Sequence, residues 1–172
     1  NHYKVPVVPY CGGAGVQGGT IPILGGIILD VKKMNRLIEL DERSLTIRVQ
    51  TGLMGDELET LLNPKGYTTA HLPQSGYCSG LGGFLAARSA GVLSTKYGKI
   101  ADMVQGMEVV LPTGQIIHTT TAPNSAAGPR LDHLFMGSEG TLGVITEVTL
   151  VIQPVPELRD FRGYSFPTLH DG

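Results

Sequence analysis

The stretch that most restricts what this chain can become is Pro9 to Gly19, Pro-Tyr-Cys-Gly-Gly-Ala-Gly-Val-Gln-Gly-Gly, with five glycines in eleven residues. Glycine takes positive φ freely and lets the backbone approach a ligand with no Cβ between them. Successive backbone N–H groups in such a loop can point into one concavity and hold a phosphate. The stretch follows a short β-type run, Val5 to Val8, so it leaves the end of a strand. Alone, it is equally compatible with a glycine-rich turn that binds nothing. The chain repeats the device, however, at Leu72 to Gly83 and again at Gly137-Ser138-Glu139-Gly140-Thr141. Glycine makes up 24 of 172 residues, about twice the ~7% of average usage.

Gly13-Ala14-Gly15-Val16-Gln17-Gly18 spells G-x-G-x-x-G, which in a Rossmann unit opens a crossover helix with an acidic residue about 20 positions on. Here the chain continues Gly19-Thr20-Ile21-Pro22-Ile23-Leu24-Gly25-Gly26, which cannot make that helix, and Asp30 comes too early. A P-loop is excluded because Gly98-Lys99-Ile100 lacks the hydroxyl residue and the first glycine at the required spacing. The 13 basic and 15 acidic residues are dispersed, with no basic stripe for a nucleic acid or a membrane surface. An anionic ligand must therefore be held mainly by backbone amides. Cys11 and Cys78 have no Cys or His at ligand spacing, so no metal is expected and both read as small packing residues. No apolar run approaches the ~20 residues of a membrane span, and a reduced, cytoplasmic setting is the default. The chain begins at Asn1 just before a strand and is read as part of a longer protein.

In order, Val5–Val8, Ile27–Val31, Leu37–Leu40 and Leu45–Gln50 predict a small, mainly antiparallel sheet. Leu45, Ile47 and Val49 alternate with Thr46, Arg48 and Gln50, the period of a half-buried strand. Met54, Leu58, Leu61 and Leu62 form the stripe of an amphipathic helix, stopped at Asn63-Pro64-Lys65-Gly66. The second glycine loop opens into a short helix at Phe84–Arg88. Met107–Leu111 and Gln115–His118 read as a hairpin, residues 119–129 as a surface loop, Leu131–Met136 as one or two helical turns, and Val144–Gln153 as the last long strand.

Two or more separated glycine loops in an α+β chain suit a long ligand with a diphosphate at its middle. Pro9-Tyr10-Cys11-Gly12-Gly13-Ala14-Gly15-Val16-Gln17-Gly18-Gly19 resembles the pyrophosphate loop, P-x-G-G-G-T-S-x-x-G-G, of vanillyl-alcohol oxidase (PCMH-type) flavoproteins. Pro73-Gln74-Ser75 through Gly82-Gly83, then Arg88-Ser89-Ala90-Gly91, is similar to that family's second flavin segment. Tyr97-Gly98 with Asp102, Val109 to Gly114, and Gly137 to Thr146 follow in the family's order. The resemblance covers residues 5 to 156 and is closest to glycolate oxidase and D-lactate dehydrogenase flavin subunits and to alkyldihydroxyacetonephosphate synthase.

It implies an α+β, PCMH-type FAD-binding fold of two small α/β lobes, truncated at its N-terminus. Residues 1–50 would be the remainder of the first lobe, 51–156 the second lobe, and 157–172 the start of a substrate domain. The cofactor implied is FAD, held by Pro9, Tyr10, Cys11, Gly12, Gly13, Ala14, Gly15 and Val16 from the first loop. Pro73, Gln74, Ser75, Gly76, Ser79, Gly82, Gly83, Arg88 and Ser89 would follow from the second segment, and Glu139, Gly143, Val144 and Ile145 from the third. Covalently attached members carry a His in the first loop. Here Ala14 stands in the place of the family's Thr and Cys11 in that of its first loop glycine, so the flavin is expected to be non-covalent.

The implied activity is oxidation of a 2-hydroxy acid such as glycolate or D-lactate by hydride transfer to flavin. The alternatives are an ether-lipid synthase like alkyldihydroxyacetonephosphate synthase, or a flavin-binding module with no chemistry of its own. No catalytic residue is assigned within the chain, because the small-molecule substrate would bind a further domain. Alone, the chain is expected to be inactive, to bind FAD weakly and to self-associate through an unpaired sheet edge. Asp132-His133 reads as a surface pair, and His2, His71, His118 and His170 as structural or exposed.

Overall fold

The computed structural model describes residues 3–123 and 125–171, and His2 lies outside them. Two strands, β1 (Val7–Tyr10) and β2 (Ile27–Asp30), form one small sheet. A five-stranded sheet has the order β3-β4-β8-β6-β7, from β3 (Leu37–Asp41), β4 (Thr46–Gln50), β6 (Val104–Val110), β7 (Ile116–His118) and β8 (Val144–Val151). Every neighbouring pair in it is antiparallel. The two-residue strands β5 (Tyr67–Thr68) and β9 (Gln153–Pro154) pair separately.

The larger sheet carries the core. Ile47, Val49, Met107, Val109, Val148 and Leu150 of its strands pack with residues of the helices α1 (Gly55–Leu62), α2 (Leu81–Ala86) and α4 (Ile100–Met103). Two more helical turns, α3 (Ser94–Tyr97) and α5 (Asp132–Phe135), are each as short as α4. In α1 the stripe buries Leu58 and Leu62, and the Glu57 carboxylate accepts the Met54 amide at 3.3 Å, capping an orphan donor of the first turn. A 3-10 turn over Asn63–Lys65 and Gly66 at φ +84° end it, as the Asn-Pro-Lys-Gly sequence requires.

Three sequence expectations are corrected. First, β1 and β2 pair in parallel, with Val7 opposite Ile27 and Tyr10 opposite Asp30. Residues 11–26 run without a helix from the end of β1 back to its start, where Ile27 N–H donates to the Pro6 carbonyl at 2.9 Å, so that β2 points the same way as β1. Second, β3 and β4 join β6, β7 and β8 rather than β1 and β2, so the sheet boundary falls between Asp30 and Leu37. Third, α2 begins at Leu81 and takes Gly82 and Gly83 into its first turn. Its leading amides donate to the chain after β4, Leu81 N–H to the Leu53 carbonyl at 3.0 Å and Gly82 N–H to the Thr51 carbonyl at 2.8 Å.

Candidate functional site: a cavity walled by three glycine loops

Close backbone approaches bring the three glycine-rich segments together. A Cβ on Gly12 would overlap the Cys78 carbonyl, and one on Gly80 would overlap the Cys11 sulfur, so the first and second loops interlock only because both residues are glycine. Gly140, at φ +81°, passes Pro9 so closely that a Cβ would lie 2.9 Å from the proline ring, and a Cβ on Gly19 would lie 3.0 Å from the Glu139 carboxylate. The first loop is thus clamped between the second and third. Between them lies a cavity of about 470 Å³, of the size that takes a small molecule or much of a larger one.

Most of the residues expected at a cofactor line this cavity. From the first loop these are Pro9, Tyr10, Cys11, Gly12, Gly13, Ala14, Gly15 and Val16. Ser75, Ser79, Gly82, Gly83 and Ser89 line it from the second segment, and Glu139, Gly143, Val144 and Ile145 from the third. Pro73, Gln74, Gly76 and Arg88 do not. The Arg88 guanidinium turns away, its Nε donating to the Met136 carbonyl at 2.8 Å and its Nη2 to the His133 carbonyl at 2.6 Å. It ties the end of α2 to the end of α5, where a cation meets orphan carbonyls.

Further lining residues were not anticipated, among them Gln17, Thr20, Val31, Phe84, Ser138 and Gly140. Ser138 and Gly140 flank Glu139 in the same turn and were within reach of the sequence argument. Val31 and Phe84 carry only the ordinary signature of core residues.

The cavity wall is chemically quiet. Burial pushes the Cys11 thiol up, so the sulfur stays protonated, and it donates to the Gly52 carbonyl at 3.6 Å. Among the described residues there is no group of three or more His, Cys, Asp or Glu fit to hold a metal ion. Backbone amides are on offer, since among the described residues none accepts a hydrogen bond from the N–H groups of Gly13 through Gln17, and Ser75, Ser79 and Ser89 bring hydroxyl groups to the same wall.

Two glycines show that the wall has room for a ligand laid against the backbone. At Gly15 and Gly83 a Cβ would meet nothing within 4 Å, and neither has positive φ. Both line the cavity. No contact among the described residues requires glycine at either position, whereas a ligand passing close to the backbone does. A nucleotide cofactor whose diphosphate rests on bare amides fits this wall.

The pair Asp132-His133 is not a surface pair. Asp132 is buried and ion-paired with Arg130, which folds back over two residues, and His133 Nε2 is buried without a partner among the described residues. His118 and His170 are exposed, whereas His71 is buried beside Ser89, their Nε2 and Oγ 2.7 Å apart.

Residues 1–120 match the family model described as FAD binding domain. An alkyldihydroxyacetonephosphate synthase of Dictyostelium discoideum is 38% identical over 96% of this chain and 28% of its own length. A mitochondrial D-lactate dehydrogenase (cytochrome) of Arabidopsis thaliana is 39% identical over 99% of this chain and 30% of its own. A solved alkyldihydroxyacetonephosphate synthase superposes with a TM-score of 0.84 at 36% identity, covering 91% of this chain and 29% of that one. The chain therefore spans about three tenths of the length of these relatives. By a family match over residues 1–120 and by its fold, the chain belongs to the FAD binding domains of PCMH-type flavoproteins.

Proposed function

We propose that the three-loop cavity holds FAD without a covalent bond, and that the intact protein oxidises a 2-hydroxy acid of the glycolate or D-lactate kind. The observation that carries the cofactor assignment is the pair Gly15 and Gly83, bare backbone facing a cavity that nothing in the chain fills. The kinship with a D-lactate dehydrogenase supports the substrate class. A bound flavin supplies the hydride acceptor. This chain's residues bind and orient it: the amides of Gly13 to Gln17 are free to face a diphosphate, and Tyr10, Val31, Phe84 and Ile145 give the wall its apolar surface.

Two groups of the first loop support non-covalent attachment. Ala14 offers no nucleophile, and Cys11 is held as a thiol by burial and by its bond to Gly52. Acid precipitation of the loaded protein should leave all yellow colour in the supernatant. Colour retained in the pellet would contradict the assignment.

A second function has its own support, because relatives and structural neighbours are alkyldihydroxyacetonephosphate synthases. One experiment separates the two. The intact flavoprotein is mixed without oxygen with D-lactate, glycolate or an acyl-dihydroxyacetone phosphate, and the visible flavin band is followed. Bleaching by a hydroxy acid supports the oxidase assignment, and bleaching by the acyl-dihydroxyacetone phosphate alone supports the synthase.

A further inference from the structure

Among the described residues, His71 is the one buried histidine whose ring touches a residue of the cavity wall. Its side chain is 5% exposed and does not itself line the cavity. The imidazole stands edge-on to Phe84, ring centroids 5.2 Å apart at 75°, and its Nε2 lies 2.7 Å from Ser89 Oγ. The other ring nitrogen, Nδ1, is buried with no partner among the described residues. Glu59, the buried carboxylate of α1, is taken up by the Thr68 hydroxyl and by the amide and hydroxyl of Thr69. Ser89 is held at both backbone ends: its amide donates to the Phe84 carbonyl at 2.9 Å and its carbonyl accepts from Ile100 at 3.2 Å.

These contacts decide where the protons sit. Burial pulls the imidazole from 6.5 down to about 4, so one ring nitrogen carries the single proton at neutral pH. A proton on Nδ1 would be a buried N–H donor without an acceptor, the rarer and costlier defect, whereas a bare Nδ1 leaves only an unfilled lone pair. The proton therefore belongs on Nε2, which donates to Ser89 Oγ. A hydroxyl has one proton and two lone pairs. With one lone pair used by His71, and no other partner for Oγ among the described residues, the proton of this cavity-lining serine is left without an acceptor in the described chain.

We propose that His71 is a positioning residue: by donating from Nε2 it fixes the Ser89 hydroxyl as a hydrogen-bond donor to an acceptor atom of the nucleotide in the cavity. The proposal rests on the assignment of FAD to that cavity. It gives Ser89 a defined polarity, so the site favours an acceptor over a donor at that point of the ligand.

Two measurements on the whole chain test it. Nitrogen-15 NMR at neutral pH should show His71 with Nε2 protonated and Nδ1 bare, and the opposite tautomer would overturn the proposal whatever the ligand does. Fluorescence titration with FAD then compares the wild type with Ser89→Ala, His71→Leu, the double variant and His71→Gln. We expect Ser89→Ala and His71→Leu each to weaken FAD about five- to tenfold, roughly one hydrogen bond. The double variant should be no weaker than Ser89→Ala. His71→Gln, whose amide can donate from nearly the place of Nε2, should restore most of the affinity. If His71→Leu fails to fold, Ser89→Ala and His71→Gln still decide. Unchanged affinity in Ser89→Ala would overturn the proposal while leaving FAD in the cavity. A wild-type chain that takes up no FAD at all would overturn the cofactor assignment and the proposal with it.

Discussion

The β1–β2 sheet and the five-stranded sheet are built from the same kinds of residue and have opposite fates. In β2, Ile27, Ile28 and Leu29 are 53%, 50% and 41% exposed. In the larger sheet, Val49 and Val109 are fully buried, with Ile47, Val148 and Leu150 at 1%. Composition does not separate them; the difference is the layer beneath. Helices α1, α2 and α4 cover the large sheet, whereas the parallel pair has no second layer among the described residues. Parallel strands are ordinarily covered on both faces, and two strands alone are marginal in water. The β1–β2 pair is instead held at its cavity end, by Val31 N–H on the Tyr10 carbonyl at 2.9 Å and by the interlock of Cys11 with Gly80. One sheet is thus stabilised by a core and the other by a binding site.

The contrast can be broken from either side. The largest effect belongs to the core: Leu62, fully buried in α1, should lose about 3 kcal/mol on replacement by Ala, measured as the shift in a urea unfolding midpoint. Next comes acid. The His71 imidazole, held near 4 against an ordinary 6.5, is neutral when folded while its unfolded counterpart takes up a proton. Its contribution is therefore intact above pH 6.5 and is lost progressively as pH falls from 6.5 to 4, about 3 kcal/mol in all. Comparing His71→Gln with the wild type across that window isolates the effect, because the variant lacks the loss. At the small end, Ile28→Ser in the exposed strand should move the unfolding midpoint by no more than about 0.5 kcal/mol, and a core-sized loss there would erase the distinction between the sheets.

What the sequence made legible follows the same division. Alternation of Leu45, Ile47 and Val49 and the stripe through Leu58 and Leu62 placed β4 and α1 correctly, because each is a local period set by one buried face. The glycine loops were legible because backbone approach leaves no residue but glycine. The direction of β2 was not, since it depends on how residues 11–26 return from the end of β1 to its start, and no short-range signal encodes that path. Nor was the turning of Arg88 toward the carbonyls of His133 and Met136, 45 and 48 residues away. His71 was hidden for the same reason: its partner Ser89 lies 18 residues on, across the second glycine loop.

The central claim is that Gly15 and Gly83 are glycine for the sake of a ligand and not for the fold. Replacing each with Ala tests it directly, because the two consequences have opposite signs. With open space at both Cβ positions and no positive φ, the variants should be as stable as the wild type or more so, by about 0.5–1 kcal/mol from reduced freedom of the unfolded chain and better helix propensity at Gly83. Their affinity for FAD, titrated beside the wild type, should fall at least about tenfold, the ~1.4 kcal/mol that a methyl group between backbone and cofactor readily removes. Equal FAD affinity in all three proteins, with stability gained as expected, would show that no ligand lies against this wall and would contradict the account.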